Sequence, residues 1–505
     1  MISIATDRPF FDAAADIIRR VPRLDELVQV NELDDAADAA EFIIDNRGIV
    51  IPLGWDNATL PFLRPSPLPF NADVLLGLVF DALGNAERAQ PYLEEHPALS
   101  IELAARHCLQ ENLPVSTFLA QDLERRRTPQ NAYRYDHNVA LLQQYGLWPT
   151  PVTLAEVQQR YRSALAEAPD DEHYGFTLKH YTTLLLDTRQ EAEAETLLRQ
   201  HIPQALSEAA AYALKSALVS VRMAQLSVPY APDQLNELKD LLWDTLSYYE
   251  REPQPAEVGL LLVDASEVAN ISESYAESLG YINRALDIFR NEGLPELAAS
   301  SLLRKGVLLY TWAQNGSPQF YKPAIDTYQE ALKVFKRDEA PDTFAQIHMH
   351  LGVLYAEMAT RHHKKSIWAA VSASSFQEAL HYYTPAEFPY EHGLACNNYA
   401  NALTKYPTAL RSDNYQKALD YYEQALQVRT ADYPYERALT LLNFLEASWH
   451  VDNGEAEFHQ ARYEDMVRKA EEVLTLVEAP DLRAEAERHR EQLSQLEETN
   501  REGYA

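Results

Sequence analysis

Glycine is scarce, with 15 in 505 residues. A protein built from strands and tight turns needs more, so a helical chain is expected. Cysteine is scarcer still. Cys108 and Cys396 are the two in the chain; they lie far apart in helical patterns, so they are expected as buried, reduced thiols rather than a disulfide framework. No apolar run reaches about 18 residues, so no membrane-spanning helix is expected. The start, M-I-S-I-A-T-D-R-P-F-F, has neither a basic beginning nor an uninterrupted apolar stretch, so a secretory signal is not expected and the cytoplasm is the expected compartment. Basic residues are outnumbered 44 to 76, a net charge of −32. That balance disfavours binding to nucleic acid or to an anionic membrane, both of which need clustered Lys and Arg. Motifs of catalysis are missing as well. There is no G-x-G-x-x-G, phosphate loop, G-x-S-x-G or H-E-x-x-H, so the chain reads as a non-enzyme without cofactor or metal.

What is present is a repeat. The stretch from Pro341 to Leu426 writes one helical hairpin twice, and the unit extends in both directions. A small residue is followed nine or ten positions later by a proline: Thr245 with Pro255, Ala285 with Pro295, Ala331 with Pro341, Ala379 with Pro389, Ala425 with Pro434, Ala470 with Pro480. Proline suits the first turn of a helix, where the N–H groups are unpaired anyway. Three residues before four of those alanines stand Ile282, Tyr328, Phe376 and Tyr422; seven before stand Ser278, Ala324, Ser372 and Ala418. These offsets fall on one helix face and make a small–large–small ridge. Eleven residues after the proline the opposing helix offers Ser266, Gly306, Gly352 and Ala400, small enough for close packing. Leu445 takes that place in the fifth unit, so this pair is expected to sit further apart.

The spacing divides the chain into four parts: a cap and proline-rich linker over 1–70, divergent hairpins over 71–234, a regular array over 235–454, and charged closing helices over 455–505. Within the cap, Phe10 to Arg20 and Ala36 to Asn46 read as helices and Gly48 to Trp55 as a short extended run. Pro61, Pro65, Pro67 and Pro69 read as the linker.

The segments H-L-G-V-L-Y at 350–355 and A-I-D-T-Y-Q-E-A-L at 324–332, with Leu76, Gly77, Phe80, Gly84, Ala89 and Leu93 upstream, resemble the tetratricopeptide repeat family, specifically bacterial arrays with long repeats and connectors. The resemblance implies an all-α solenoid of stacked antiparallel hairpins in a right-handed superhelix. It also implies a scaffold or adaptor that holds a protein or peptide in its concave groove, with self-association left open. A ligand-responsive regulator or sensor subunit, working with a separate protease or defence effector, is the alternative; an enzyme with an α/α toroid stands behind both.

In such arrays the first helix of each hairpin lines the groove. Nine residues after each proline stand Asp264, Arg304, His350, Asn398 and Asn443, all polar, and Asn397, Asn401 and Lys405 thicken the row in one repeat. Asparagine can donate to and accept from a peptide backbone, which suits a grip on an extended segment. The competing role for this column is to hold the stack together. His348, His350, His362 and His363 lack the spacing of a metal set. Cys396 reads as a packed thiol, the tyrosines Tyr382, Tyr383, Tyr421 and Tyr422 as inter-helix packing, and the acidic run at 191–195 as a solvated face.

Overall fold

The computed structural model describes the chain except residues 1, 34–39, 57–58, 227–229, 359–361, 408–412, 453–457 and 504–505, and the side chains of 362–363 and 499–503. Contacts divide it into two compact units, Met1–Leu261 and Leu262–Ala505.

The first unit opens with a sheet. Strands β1 (Ile2–Thr6), β2 (Val28–Glu32), β3 (Phe42–Asp45) and β4 (Gly48–Val50) are ordered β2-β1-β3-β4. β1 runs parallel to β2 and β3, while β3 and β4 form a tight antiparallel pair. Helix α1 (Arg8–Arg19) crosses between β1 and β2, and its Ala14, Ile17 and Ile18 bury against Ile4, Phe42 and Ile44. The helix expected over Ala36 to Asn46 is therefore corrected: its described end is strand β3. The run F-I-I-D shows no alternation because both faces of an inner strand are buried, and such a run is not separable from a buried helix by period. Gly48 is required where it stands. Its φ is +118°, and a Cβ there would lie 2.1 Å from the Leu68 carbonyl oxygen. That close approach lets Ile49 bridge Leu68, so the proline-rich stretch is packed along the unit rather than loose. Phe62 and Leu63 within it are buried.

Ten helices follow: α2 (Ala72–Ala82), α3 (Ala86–Leu93), α4 (Pro97–Gln110), α5 (Thr117–Arg126), α6 (Ala132–Gln144), α7 (Leu154–Ala166), α8 (Asp171–Asp187), α9 (Glu191–His201), α10 (Glu208–Ala224) and α11 (Pro232–Tyr249). Several starts are fixed by side-chain caps. Asn71, Asn85, Ser116, Asp170 and Ser207 each accept an N–H of the first turn, and Thr153 forms a capping box with Glu156. Gly77 admits Leu93, whose methyl group would lie 2.5 Å from a Cβ at that position.

Helix α12 (Pro255–Ile271) leads into the second unit, where prolines open the first helix of each hairpin, while the side chains of Asp413 and His459 cap two of the second helices. The remaining helices are α13 (Tyr275–Asn291), α14 (Pro295–Gln314), α15 (Tyr321–Ala331), α16 (Pro341–Glu357), α17 (His362–Tyr382), α18 (Pro389–Lys405), α19 (Asn414–Val428), α20 (Pro434–Ser448), α21 (Gln460–Leu476) and α22 (Pro480–Gly503). Each of the six spaced prolines is the first residue of its helix. The ridge residues Ile282, Tyr328, Phe376 and Tyr422 are buried to within 2%. They seat on the small residues of the preceding helix: a Cβ on Gly306 would lie 2.5 Å from the Tyr328 ring, and one on Gly352 2.8 Å from Phe376. Where the small residues are serines they bond across the crossing. Ser266 donates to the Ser278 carbonyl and Ser278 to the Ser266 carbonyl, and Ser372 donates to the Gly352 carbonyl at 2.6 Å. Leu445 is fully buried, and its helix pair, α20 with α21, is the less extensively packed one. The chain is thus built of stacked antiparallel helical hairpins, an α-solenoid, with a small mixed sheet in its first unit.

Candidate functional site

The polar column lies on the first helices α12, α14, α16, α18 and α20, among which α16 packs beside α18 and α18 beside α20. Its members do not share one environment. Asp264 is half-buried and enclosed, and burial pushes its carboxyl up to about 7, against the pull of Arg304. Arg304 is exposed and reaches Glu267 at 3.4 Å. His350 stacks on the Tyr328 ring, with centroids 5.3 Å apart and planes 9° from parallel. Burial drops its imidazole to about 4, so it is neutral at physiological pH and serves as a packing surface.

The asparagine cluster is different. Asn397 is buried and accepts a long 3.5 Å hydrogen bond from Asn443; Asn401 accepts from the Tyr422 hydroxyl at 2.5 Å. Asn398 is partly exposed, and its side chain makes no hydrogen bond among the described residues. Lys405 pairs with Glu357 of α16. Among described residues, therefore, a hydrogen bond joins Asn397 to Asn443, Asp264 feels the charge of Arg304 without an ion pair to it, and nothing bonds His350 to either group.

The Asp264 environment gives one expectation. A carboxyl whose folded pKa, about 7, lies above its ordinary 3.8 binds more protons folded than unfolded between those values. Stability then falls as pH rises through that window. Asp264→Asn is expected to raise the melting temperature at mildly alkaline pH and to change it little in acid, read by thermal denaturation at both. An equal shift at both would show that the carboxyl's charge is not the cause.

The other sequence candidates resolve as follows. Cys396 is fully buried, 3.4 Å from His392 Nε2, and His392 Nδ1 bonds the Tyr383 carbonyl. The arrangement has the order of a nucleophile, base and orienting group, yet burial pushes the thiol up to about 12, so the nucleophilic thiolate is not formed at neutral pH. His348 packs on Phe344, away from His350; the side chains of His362 and His363 lie outside the described residues. Among the described residues no three metal-ligating side chains come together, and no helix is long and apolar enough to cross a membrane. Tyr383 and Tyr422 are buried, and Tyr421 packs on Tyr399. The acidic run at 191–195 is corrected from a solvated face. Glu195 holds Arg199, Arg222 and Gln225, and Glu193 holds Arg162.

One feature escaped sequence reasoning. In the first unit, residues 53–56 and 59–63 lie as a strap along α6 and α8. Asn138 grips its backbone at both ends of one residue: the Leu63 N–H donates to Asn138 Oδ1 and Asn138 Nδ2 donates to the Leu63 carbonyl, each at 2.8 Å. His137 Nε2 donates to the Pro61 carbonyl and Lys179 Nζ to the Trp55 carbonyl, both at 2.8 Å. Trp55 lies edge-on to Phe176 and donates to Glu172. Asn138 stands two residues before Ala140, as Asn398 stands two before Ala400; both alanines are fully buried in the core cluster that holds the next helix's large residue, Tyr161 and Tyr422 respectively. The signal was in the sequence, but counting from prolines could not find it, because α6 starts without one.

Comparison with protein-family models finds no match, and comparison with curated proteins finds none either. Among solved structures, the crystal structure of yeast Tom70 aligns with 85% of this chain and 82% of its own, at 10% identity and a TM-score of 0.37. That similarity is too slight to carry function or register to this chain.

Proposed function

We propose that this chain is a non-catalytic binding protein whose second unit holds an extended protein segment against its first helices, with Asn398, Asn397, Asn401, Asn443 and Lys405 as the gripping group. The observation behind it is Asn138. At the offset that Asn398 occupies, it already holds the N–H and C=O of an extended segment, the chain's own Leu63. A primary amide matches the donor–acceptor pair of any peptide unit, so the grip is tolerant of side-chain sequence. Asn398 is partly exposed and its amide has no hydrogen-bond partner among the described residues, which leaves that pairing available to a partner.

The test is a random-peptide display selection on the full chain, repeated on an Asn398→Ala, Asn443→Ala double variant. Peptides recovered on the wild type should bind the variant about tenfold or more weakly, equivalent to the ~1.4 kcal/mol of one or two lost hydrogen bonds. The melting temperature should hardly move, since the Asn443–Asn397 bond is at the long limit of its kind, 3.5 Å. Unchanged peptide affinity, or a clear loss of stability, makes the column a stacking element and ends the proposal.

A further inference from the structure

Arg429 stands in the turn between α19 and α20 and is 5% exposed. Lys469 is buried to a similar degree, Arg64, Arg106 and Arg222 somewhat less, and each has a carboxylate within ion-pair distance. Arg429 has none among the described residues. Its Nη1 donates to two neutral oxygens, the Glu436 carbonyl at 3.3 Å and Thr440 Oγ1 at 2.8 Å, and its Nε is sealed from water without a partner. The side chain of Glu436 and that of Glu391 stay outside ion-pair distance. A buried guanidinium without a counter-charge is costly, and a buried N–H without an acceptor adds to it.

The surroundings fit an anion. The starts of two helices lie near Arg429, which touches Gly393 of α18 and the Glu436 carbonyl of α20, and helix starts are partially positive. Gly393, in the first turns of α18, lies against this turn: a Cβ at that position would lie 2.8 Å from Val428 Cγ2 and 3.3 Å from Arg429 Cγ. Three tyrosines stand at the same edge with their rings in solvent. Tyr390, Tyr433 and Tyr435 are 43%, 40% and 52% exposed, and the Tyr390 and Tyr433 rings are 5.7 Å apart. Exposed tyrosines around a buried arginine have the composition of an interaction hot spot.

We propose that this edge of the second unit is a docking surface for an acidic protein segment, with a partner's Asp or Glu carboxylate seated beside the Tyr390–Tyr433 ring pair and paired to Arg429. It is separate from the asparagine column and gives a chain of net charge −32 one local site for negative charge. A fluorescein-labelled oligoglutamate peptide, titrated into the full chain by anisotropy, should bind, and binding should weaken with added salt. An oligoglutamine peptide of equal length should not bind. The exposed double variant Tyr390→Ala, Tyr433→Ala and, separately, Arg429→Met should each weaken binding on the order of tenfold or more, with melting curves recorded to show that the tyrosine variant is folded. The Asn398→Ala, Asn443→Ala variant should bind oligoglutamate as the wild type does, which separates this surface from the column. Absence of oligoglutamate binding overturns the proposal. So does equal binding of oligoglutamine, or insensitivity to the tyrosine variant. Displacement of the peptide by inorganic phosphate at matched charge concentration overturns it too, by making the site one for small anions.

Discussion

Gly352→Leu is expected to destabilise the second unit by about 1–3 kcal/mol or more. A Cβ alone would sit 2.8 Å from the Phe376 ring, below any ordinary contact, and leucine adds three further carbons. Phe376 cannot retreat: it is fully buried, and its other face stacks on Tyr399 of the next hairpin at 4.9 Å. Separation of the pair also strains the 2.6 Å bond from Ser372 to the Gly352 carbonyl. The damage should therefore travel from α16 and α17 into α18, as nearest-neighbour coupling in a repeat stack requires. Hydrogen exchange should show lost protection within 320–400 and a lower melting temperature. Gly280 supplies the control. It lies on helix α13 with nothing within 4 Å of a built Cβ, so Gly280→Ala should stabilise by up to about 1 kcal/mol through helix propensity. Similar effects of the two substitutions would contradict the crossing described for Gly352.

Those crossings were legible because they are written locally. A proline at a helix start and a small residue opposite a large one declare themselves within about 50 residues, and the period repeats the message. The sheet was not legible. The pairing of Ile2–Thr6 with Val28–Glu32 and Phe42–Asp45 is non-local, and the strands are too short and too apolar for a period. The strap was hidden for a related reason. Its prolines read as a linker, whereas what fixes it is Asn138 meeting Leu63 across 75 residues of chain. In the column, position alone predicted a polar row. It could not predict that His350 would stack on Tyr328 while the Asn398 amide finds no partner among the described residues, because that depends on the residue facing each from the neighbouring helix.

Removing residues 455–505 should have the largest effect. Helices α21 and α22 bury Met466, Ala470, Val473, Leu482, Ala486 and Leu493 against Leu426, Leu441, Leu442 and Leu445. Each large apolar side chain uncovered forfeits about 1.5–3 kcal/mol, so the four leucines left behind would form a contiguous exposed patch. Polar partners go as well. Glu423 loses Lys469, Arg437 loses Glu472, and the Trp449 indole loses His489 at 3.0 Å. The outer surface of α22 meets water, with Leu482, Ala486 and Leu493 buried among mostly exposed charged residues. The shortened chain is expected to dimerise or aggregate and to melt lower. Light scattering coupled to size-exclusion chromatography reads the first, and thermal denaturation the second. A shortened chain that stays monomeric with unchanged melting would mean that the preceding hairpin closes the stack by itself, and that α21 and α22 are there for contact with something else.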